Sequence, residues 1–272
     1  MRFIVVAAFL IVSILSSVIG ADLVKTSAKR QQLVNFQQKM LDGMFHRENP
    51  VAEEVQLRSE EIVTLGSRYI PGYWTSIFCS DEKCARSTEM YRAGYKLNAC
   101  IPQTSSGAYM LYAQIVDGNV RAYKQNYVDI DCNETNGTRL AWSKTLGMCN
   151  QVIDGGLTFH VKLEIRNTYW DGVWRNRALS NVQFRGADRC EASQINDILK
   201  FDYTPLNECV NFDPIAWTDW KWTTCNPADT FFTEVDYSSH DTTCSGIAAD
   251  PVEYDRGCGG IGNELYMKQL CL

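Results

Sequence analysis

The chain has 272 residues, a formal net charge of −6, 45% hydrophobic residues and 11 cysteines. That length can bury a real core as one large domain or two small ones, and the ordinary hydrophobic content excludes wholesale disorder. A modestly acidic chain without a basic run argues against nucleic acid and anionic membrane surfaces as partners.

The N-terminus carries a short positive start, Arg2, then an apolar run from Phe3 to Leu15. Val18 and Gly20 are small enough for the −3 and −1 positions before Ala21. This predicts a secretory signal peptide over residues 1–20 and a secreted, extracellular protein. The apolar core is too short for a membrane span, and no later stretch stays apolar for about eighteen residues. In residues 21–70, Leu33, Phe36, Met40, Leu41, Met44 and Phe45 share one helical face, and Pro50 ends the pattern. The expectation is an N-terminal amphipathic helical segment that serves as a propeptide or packing arm.

From Tyr73 onward β signals dominate. The run AYMLYAQIVDGNVRAYKQNYVDI reads as a hairpin about Asp117-Gly118. LTFHVKLEIR alternates strictly between apolar and polar residues, which predicts a strand with one buried face. YWDGVW supplies a second Asp-Gly turn, while Asp250-Pro251 and GCGGIG read as loops. The sequons Asn133-Glu-Thr135 and Asn136-Gly-Thr138 predict an exposed glycosylated loop after Cys132.

The chain lacks CxxC pairs, and its three histidines lie far apart, so the cysteines read as disulfides and no metal or cofactor is expected. Their spacing suggests a duplication. Cys84, Cys100, Cys132 and Cys149 are separated by 15, 31 and 16 residues, and Cys190, Cys209, Cys244 and Cys258 by 18, 34 and 13. Flanking residues agree: SDEKC with GADRC, YKLNAC with YTPLNEC, Phe78 with Phe184, and Tyr127 and Asp131 with Tyr237 and Asp241. The fold class predicted is therefore mainly β: two tandem disulfide-framed β repeats, residues 71–151 and 152–272, behind the helical segment. First-to-second and third-to-fourth pairing is expected in each repeat, with Cys225–Cys271 as an added link. Cys79, level with Arg185, is left as a free or intermolecular thiol that could link two chains as a dimer.

The search for chemistry returns little. DYSSHDTTC puts Ser238, Ser239, His240, Asp236 and Asp241 together, but triad members are normally assembled by the fold and GxSxG is absent. Asp129-x-Asp131-x-Asn133 opens like a calcium loop, yet Glu134 stands where Gly is needed and Leu140 where a bidentate Glu belongs. The remaining feature is AWTDWKWTTC, with Trp217, Trp220 and Trp222 ahead of Cys225. Over WTDWKWTTC it resembles the WxxW opening of thrombospondin type 1 repeats, through Trp217-x-x-Trp220 and the later cysteine. The basic strand and CSxTCG segment of that family have no match, so the resemblance implies only a C-mannosyl attachment at Trp217. Setting Trp217 and Trp220 level with Tyr109 and Tyr112 makes the stretch a framework strand with aromatics on both faces, and leaves Trp222 and Cys225 as additions. The function predicted is an extracellular binding or structural protein whose partner is a glycan or another protein, with Trp217, Trp220 and Trp222 as ligand candidates. The alternative is a secreted glycosidase-like hydrolase with carboxylates assembled between the repeats, Asp213, Asp219 and Asp229 being the acids among aromatics.

Overall fold

A computed structural model describes residues 70–272 except 80, 86–87, 104–105, 117–118, 143–145, 155–156, 170–177, 193, 212–219, 239–240 and 242. The expected signal peptide and N-terminal helix lie outside the described residues. What is described is mainly β. In chain order the strands are β1 (Tyr73–Cys79), β2 (Glu89–Lys96), β3 (Cys100–Pro102), β4 (Ala108–Val116), β5 (Asn119–Tyr127), β6 (Thr135–Trp142), β7 (Cys149–Asp154) and β8 (Leu157–Arg166). The second half continues with β9 (Ala178–Arg185), a short helix α1 (Ala187–Ala192), β10 (Lys200–Pro205), β11 (Cys209–Asn211) and β12 (Trp220–Cys225). It ends with β13 (Phe231–Tyr237), β14 (Val252–Asp255), β15 (Gly259–Gly262) and β16 (Leu265–Cys271).

These strands form three sheets. The central one has eight strands in the order β7-β8-β1-β2-β10-β9-β16-β15, and two four-stranded sheets run β3-β4-β5-β6 and β11-β12-β13-β14. Among the described residues every pairing between these strands is antiparallel, and one isolated parallel bridge joins Leu97 to Leu111. The central order reads the same outward from the β2–β10 seam: each half contributes its second, first, last and next-to-last strand. At the seam Ala93 lies opposite Asp202, flanked by Gly94 opposite Phe201 and Arg92 opposite Tyr203. Ala93 and Asp202 each stand seven residues before the second cysteine of their set, Cys100 and Cys209.

LTFHVKLEIR is β8 from end to end, with Val161 and Leu163 fully buried. β4 and β5 pair antiparallel as far as Val116 opposite Asn119, as the hairpin reading requires; the turn residues Asp117 and Gly118 lie outside the described residues. GCGGIG is a loop only at Gly257 and Cys258; Gly259–Gly262 is β15, an edge strand with an irregular register against β16. Glycine is tolerated at such an edge. The two-residue connection Asn263-Glu264 has φ of 44° and 60°, the left-handed pair that a tight hairpin requires.

The disulfides overturn the expected pairing within each half. They are nested: Cys84–Cys149 around Cys100–Cys132, and Cys190–Cys258 around Cys209–Cys244. The reason is reach. Cys84 and Cys100 are separated by the length of β2, about 26 Å for eight extended residues, whereas bridged Cα atoms lie within about 7 Å. The outer pair therefore closes on the central sheet and the inner pair on the small one. Cys225–Cys271 joins β12 to β16. Cys79 is free and fully buried inside β1. Burial, with Glu89 and Asp81 adding to it, pushes its thiol up to about 12, which disfavours the reactive thiolate.

Both small sheets cover the same side of the central sheet, on different terms. In the first half Trp74, Phe78, Tyr91, Tyr95, Val161 and Leu163 meet Tyr109, Leu111, Ala113 and Ala122 in one apolar layer. In the second half the matching central-sheet side carries Asn181, Gln183, Lys200, Asp202, Thr204 and Gln269, all buried. The apolar contact there shrinks to Leu179, Leu206 and Phe232, with Cys225 and Tyr254 beside them. The opposite side of the second half holds Phe184, Phe201 and Tyr203 with Tyr73 and Tyr169. Phe78 and Phe184, matched in sequence, thus lie on opposite sides of the sheet. By strand pairing Tyr73, opposite Lys96, matches Ala178, opposite Pro205, so the position matching Phe184 is Cys79 and not Phe78.

Candidate functional site, the outer face of the second small sheet

Residues two apart on a strand share a face. On β12 the inward set is Lys221, Thr223 and Cys225, because Cys225 bridges to β16 and Thr223 is fully buried. Trp220, Trp222 and Thr224 consequently face away from the central sheet. On β13 the inward set holds Phe232 and Glu234, both buried, which leaves Phe231, Thr233, Val235 and Tyr237 outward. The register then composes the outer face: Trp220 opposite Tyr237, Trp222 opposite Val235, and Thr224 opposite Thr233. Both tryptophans are half-buried, and Phe231 is 37% exposed. Glu253 and Asp255 of β14 lie across from Thr233 and Phe231.

This register corrects the alignment drawn from sequence. Trp222 lies opposite Cys209 as Met110 lies opposite Cys100. Trp220 and Trp222 therefore match Ala108 and Met110, and not Tyr112 and Gln114. The two tryptophans share one face, as their spacing requires; Trp217, which the expectation of aromatics on both faces needs, lies outside the described residues. On the first small sheet the same face bears the stacked pair Tyr112 and Tyr123, with ring centroids 5.5 Å apart. Sequence reasoning missed Phe231 and Tyr237, although the alternation in FFTEVDY carries them.

At the far end of this face, where β12 turns into β13, lies a recess of about 190 Å³ lined by Asn207, Thr224, Asn226, Asp229, Phe231 and Thr233, among others. The turn beneath it is fixed. Asn226 Oδ1 accepts the Ala228 N–H at 3.2 Å, and the Arg256 guanidinium donates to the Asn226 carbonyl at 2.9 Å and the Asp229 carbonyl at 2.5 Å. Asn207 stands beside it in the left-handed region, φ 58°, its N–H held by the Thr223 carbonyl at 2.9 Å.

The other sequence candidates have structural roles or lie outside the described residues. Asp241 Oδ2 accepts the Gly246 N–H at 2.6 Å, and Oδ1 accepts those of Thr243 and Ser245 at 3.3 Å, around a left-handed Cys244. Asp129 does the same for Asp131, Asn133 and Glu134 around Cys132. The counterpart of Asp241 is therefore Asp129, and not Asp131 as the sequence match had it. Each carboxyl is held below the usual range, first by its shortest backbone bond, to Gly246 and to Glu134. His46, His240, Asp213 and Asp219 lie outside the described residues, and His160 is a half-buried outward position on β8. Asn133 is exposed, and Asn136 stands on β6. Among the described residues no group of three or more His, Cys, Asp or Glu could hold a metal, and no helix is long and apolar enough to cross a membrane.

A second depression, about 660 Å³ and open, lies along Leu146, Gly147 and Leu163–Thr168. Its one carboxylate, Glu164, is ion-paired with Lys162 at 2.6 Å and with Arg166. The acid at the seam, Asp202, is buried and accepts the Asn181 amide N–H at 2.6 Å. Neither arrangement sets two carboxylates across a cleft. No protein-family model, no curated protein and no solved structure matches the chain.

Proposed function

We propose that the chain is a secreted extracellular binding protein made of two tandem β repeats, and that it engages a glycan through the outer face of its second small sheet. Five disulfides in a mainly β fold suit an oxidising compartment. The duplication is supported by the mirrored strand order about the seam, by the same nesting of disulfides in each half, and by the paired caps of Asp129 and Asp241. The glycosylation sites Asn133 and Asn136 belong to the same reading.

The observation that carries the function is the set Trp220, Trp222, Tyr237 and Phe231 on a sheet face that the central sheet does not cover. Flat aromatic faces bind the apolar faces of sugar rings, and the ring edges of Trp and Tyr carry hydrogen-bond donors. The test is a glycan array probed with the mature, oxidised protein, followed by calorimetry on the best binder. Trp222→Ala is expected to weaken binding about tenfold or more. Wild-type binding by Trp220→Ala and Trp222→Ala together would remove this face from the function.

A further inference from the structure

The recess beside Phe231 lies in line with the tryptophans. Same-face positions on a strand recur about every 7 Å, so Trp220, Trp222 and Thr224 mark successive steps along β12, and Thr224 lines the recess. Its volume, about 190 Å³, is well below the ~300–1,000 Å³ of pockets for drug-sized ligands and suits one small polar ring. The lining has that ring's chemistry. Phe231 offers an exposed aromatic surface. Asn207, Asn226, Asp229, Thr224 and Thr233 offer amide, carboxylate and hydroxyl groups, the donors and acceptors that ring hydroxyls require. The Arg256 bonds fix the turn that carries Asn226 and Asp229 before any ligand arrives, which lowers the ordering cost of binding. Charge narrows the ligand further. Asp229 lines the recess, and Glu253 and Asp255 of β14 lie opposite Thr233 and Phe231; these carboxylates oppose sialylated or sulfated sugars.

We infer that the recess is a sugar subsite: it takes one ring of a neutral hexopyranose oligosaccharide whose neighbouring rings lie over Trp222 and Trp220. This rests on the reading of the aromatic face as glycan-binding, and the experiment separates the two. Calorimetry is run on the mature, oxidised protein with neutral mono- to tetrasaccharides drawn from glucose, galactose, mannose and N-acetylhexosamine series, and with sialylated counterparts. Affinity is expected to rise as the oligosaccharide grows long enough to reach the recess. Phe231→Ser and Asn207→Gly, the latter compatible with the left-handed backbone, are each expected to weaken the longest binder about tenfold. Phe231→Tyr is expected to retain binding, which guards against a folding artefact. If both recess variants bind like wild type while Trp222→Ala does not, the subsite is overturned and the aromatic face stands. Preference for sialylated over neutral ligands overturns the ligand class. Absence of binding to any neutral sugar overturns subsite and aromatic face together.

Discussion

Asp129 and Asp241 show how a single residue type shapes a loop. Each accepts backbone N–H groups from two, four and five positions ahead and so wraps a turn around a cysteine in the left-handed region, a conformation that disfavours most side chains. Asp81 builds a related turn around Cys84, its carboxyl lowered first by the Thr88 hydroxyl at 2.8 Å. The sign of the pH dependence follows from the lowered folded-state values. The stabilisation is fully present above the unfolded-state pKa, about 3.9 for Asp, and is lost as pH falls through the lower folded-state value. Amide resonances of Gly246 and Glu134 should therefore move on acidification below about pH 4, with faster amide exchange below the transition. Asp241→Ala should give fast exchange at Gly246 already at neutral pH and erase that titration. Asp131→Ala should leave Glu134 titrating, because Asp129 is the cap in that turn. These turns were half legible in the sequence: cysteine spacing flagged the region, but which of two aspartates does the capping depends on atoms two to five residues away.

At the scale of elements, the two small sheets meet the central sheet with unequal means. The first has an apolar layer that includes Trp74, Tyr95 and Tyr109. In the second half that side of the central sheet carries buried Asn181, Gln183, Thr204 and Gln269, and its apolar contact with the small sheet is a small cluster around Phe232. Polar groups placed between sheets contribute less than apolar area of the same size. The Cys225–Cys271 bridge occurs only in this half, and it fastens β12 to β16 where the apolar contact is thin. Replacing both cysteines by alanine should cost about 2–4 kcal/mol. The loss should centre on β12 and β13, read as increased hydrogen exchange there with β4 and β5 unchanged. Equal loss in both small sheets would show that the bridge supports the whole molecule and not this contact. The strands themselves were largely readable, since β8 and the β4–β5 hairpin follow from alternation and turn chemistry. The nested pairing was not, because it depends on where β2 carries the chain.

At the scale of the whole molecule, the seam between β2 and β10 joins the halves into one sheet. Gly94 makes it possible. A Cβ there would stand 2.0 Å from the Phe201 ring, which is itself confined by Tyr73, Tyr169 and Tyr203. Gly94→Ala should destabilise by about 1–3 kcal/mol as the ring is forced off its place, and pairing it with Phe201→Leu should restore part of the loss in chemical denaturation. A further tie crosses between the halves: Lys124 of β5 and Lys200 of β10 both lie over the Tyr109 ring, at 5.0 and 5.3 Å. Arg185 of β9 is bonded to Asp131 at 2.5 Å, and the Asn263 amide donates to the Gln103 carbonyl at 2.5 Å. The candidate site was only partly visible beforehand. Trp220 and Trp222 stood out as heavy residues, but their sharing a face with Phe231 and Tyr237 is a fact of register, and a shift of one residue would reverse it.

The meeting of Ala93 with Asp202 has a consequence for any shortened form of the protein. A strand that pairs antiparallel with its own copy about a twofold axis sets one residue opposite itself, and the seam has that geometry with two near-equivalent positions. Cut at the connection between the halves, the first half would expose β2 as a bare edge shaped to accept another β2, with small, uncharged Ala93 at the crossing. Such edges seed association. Separated first halves should therefore self-associate in solution. In the second half Asp202 would face Asp202, a like-charge pairing that opposes the same outcome.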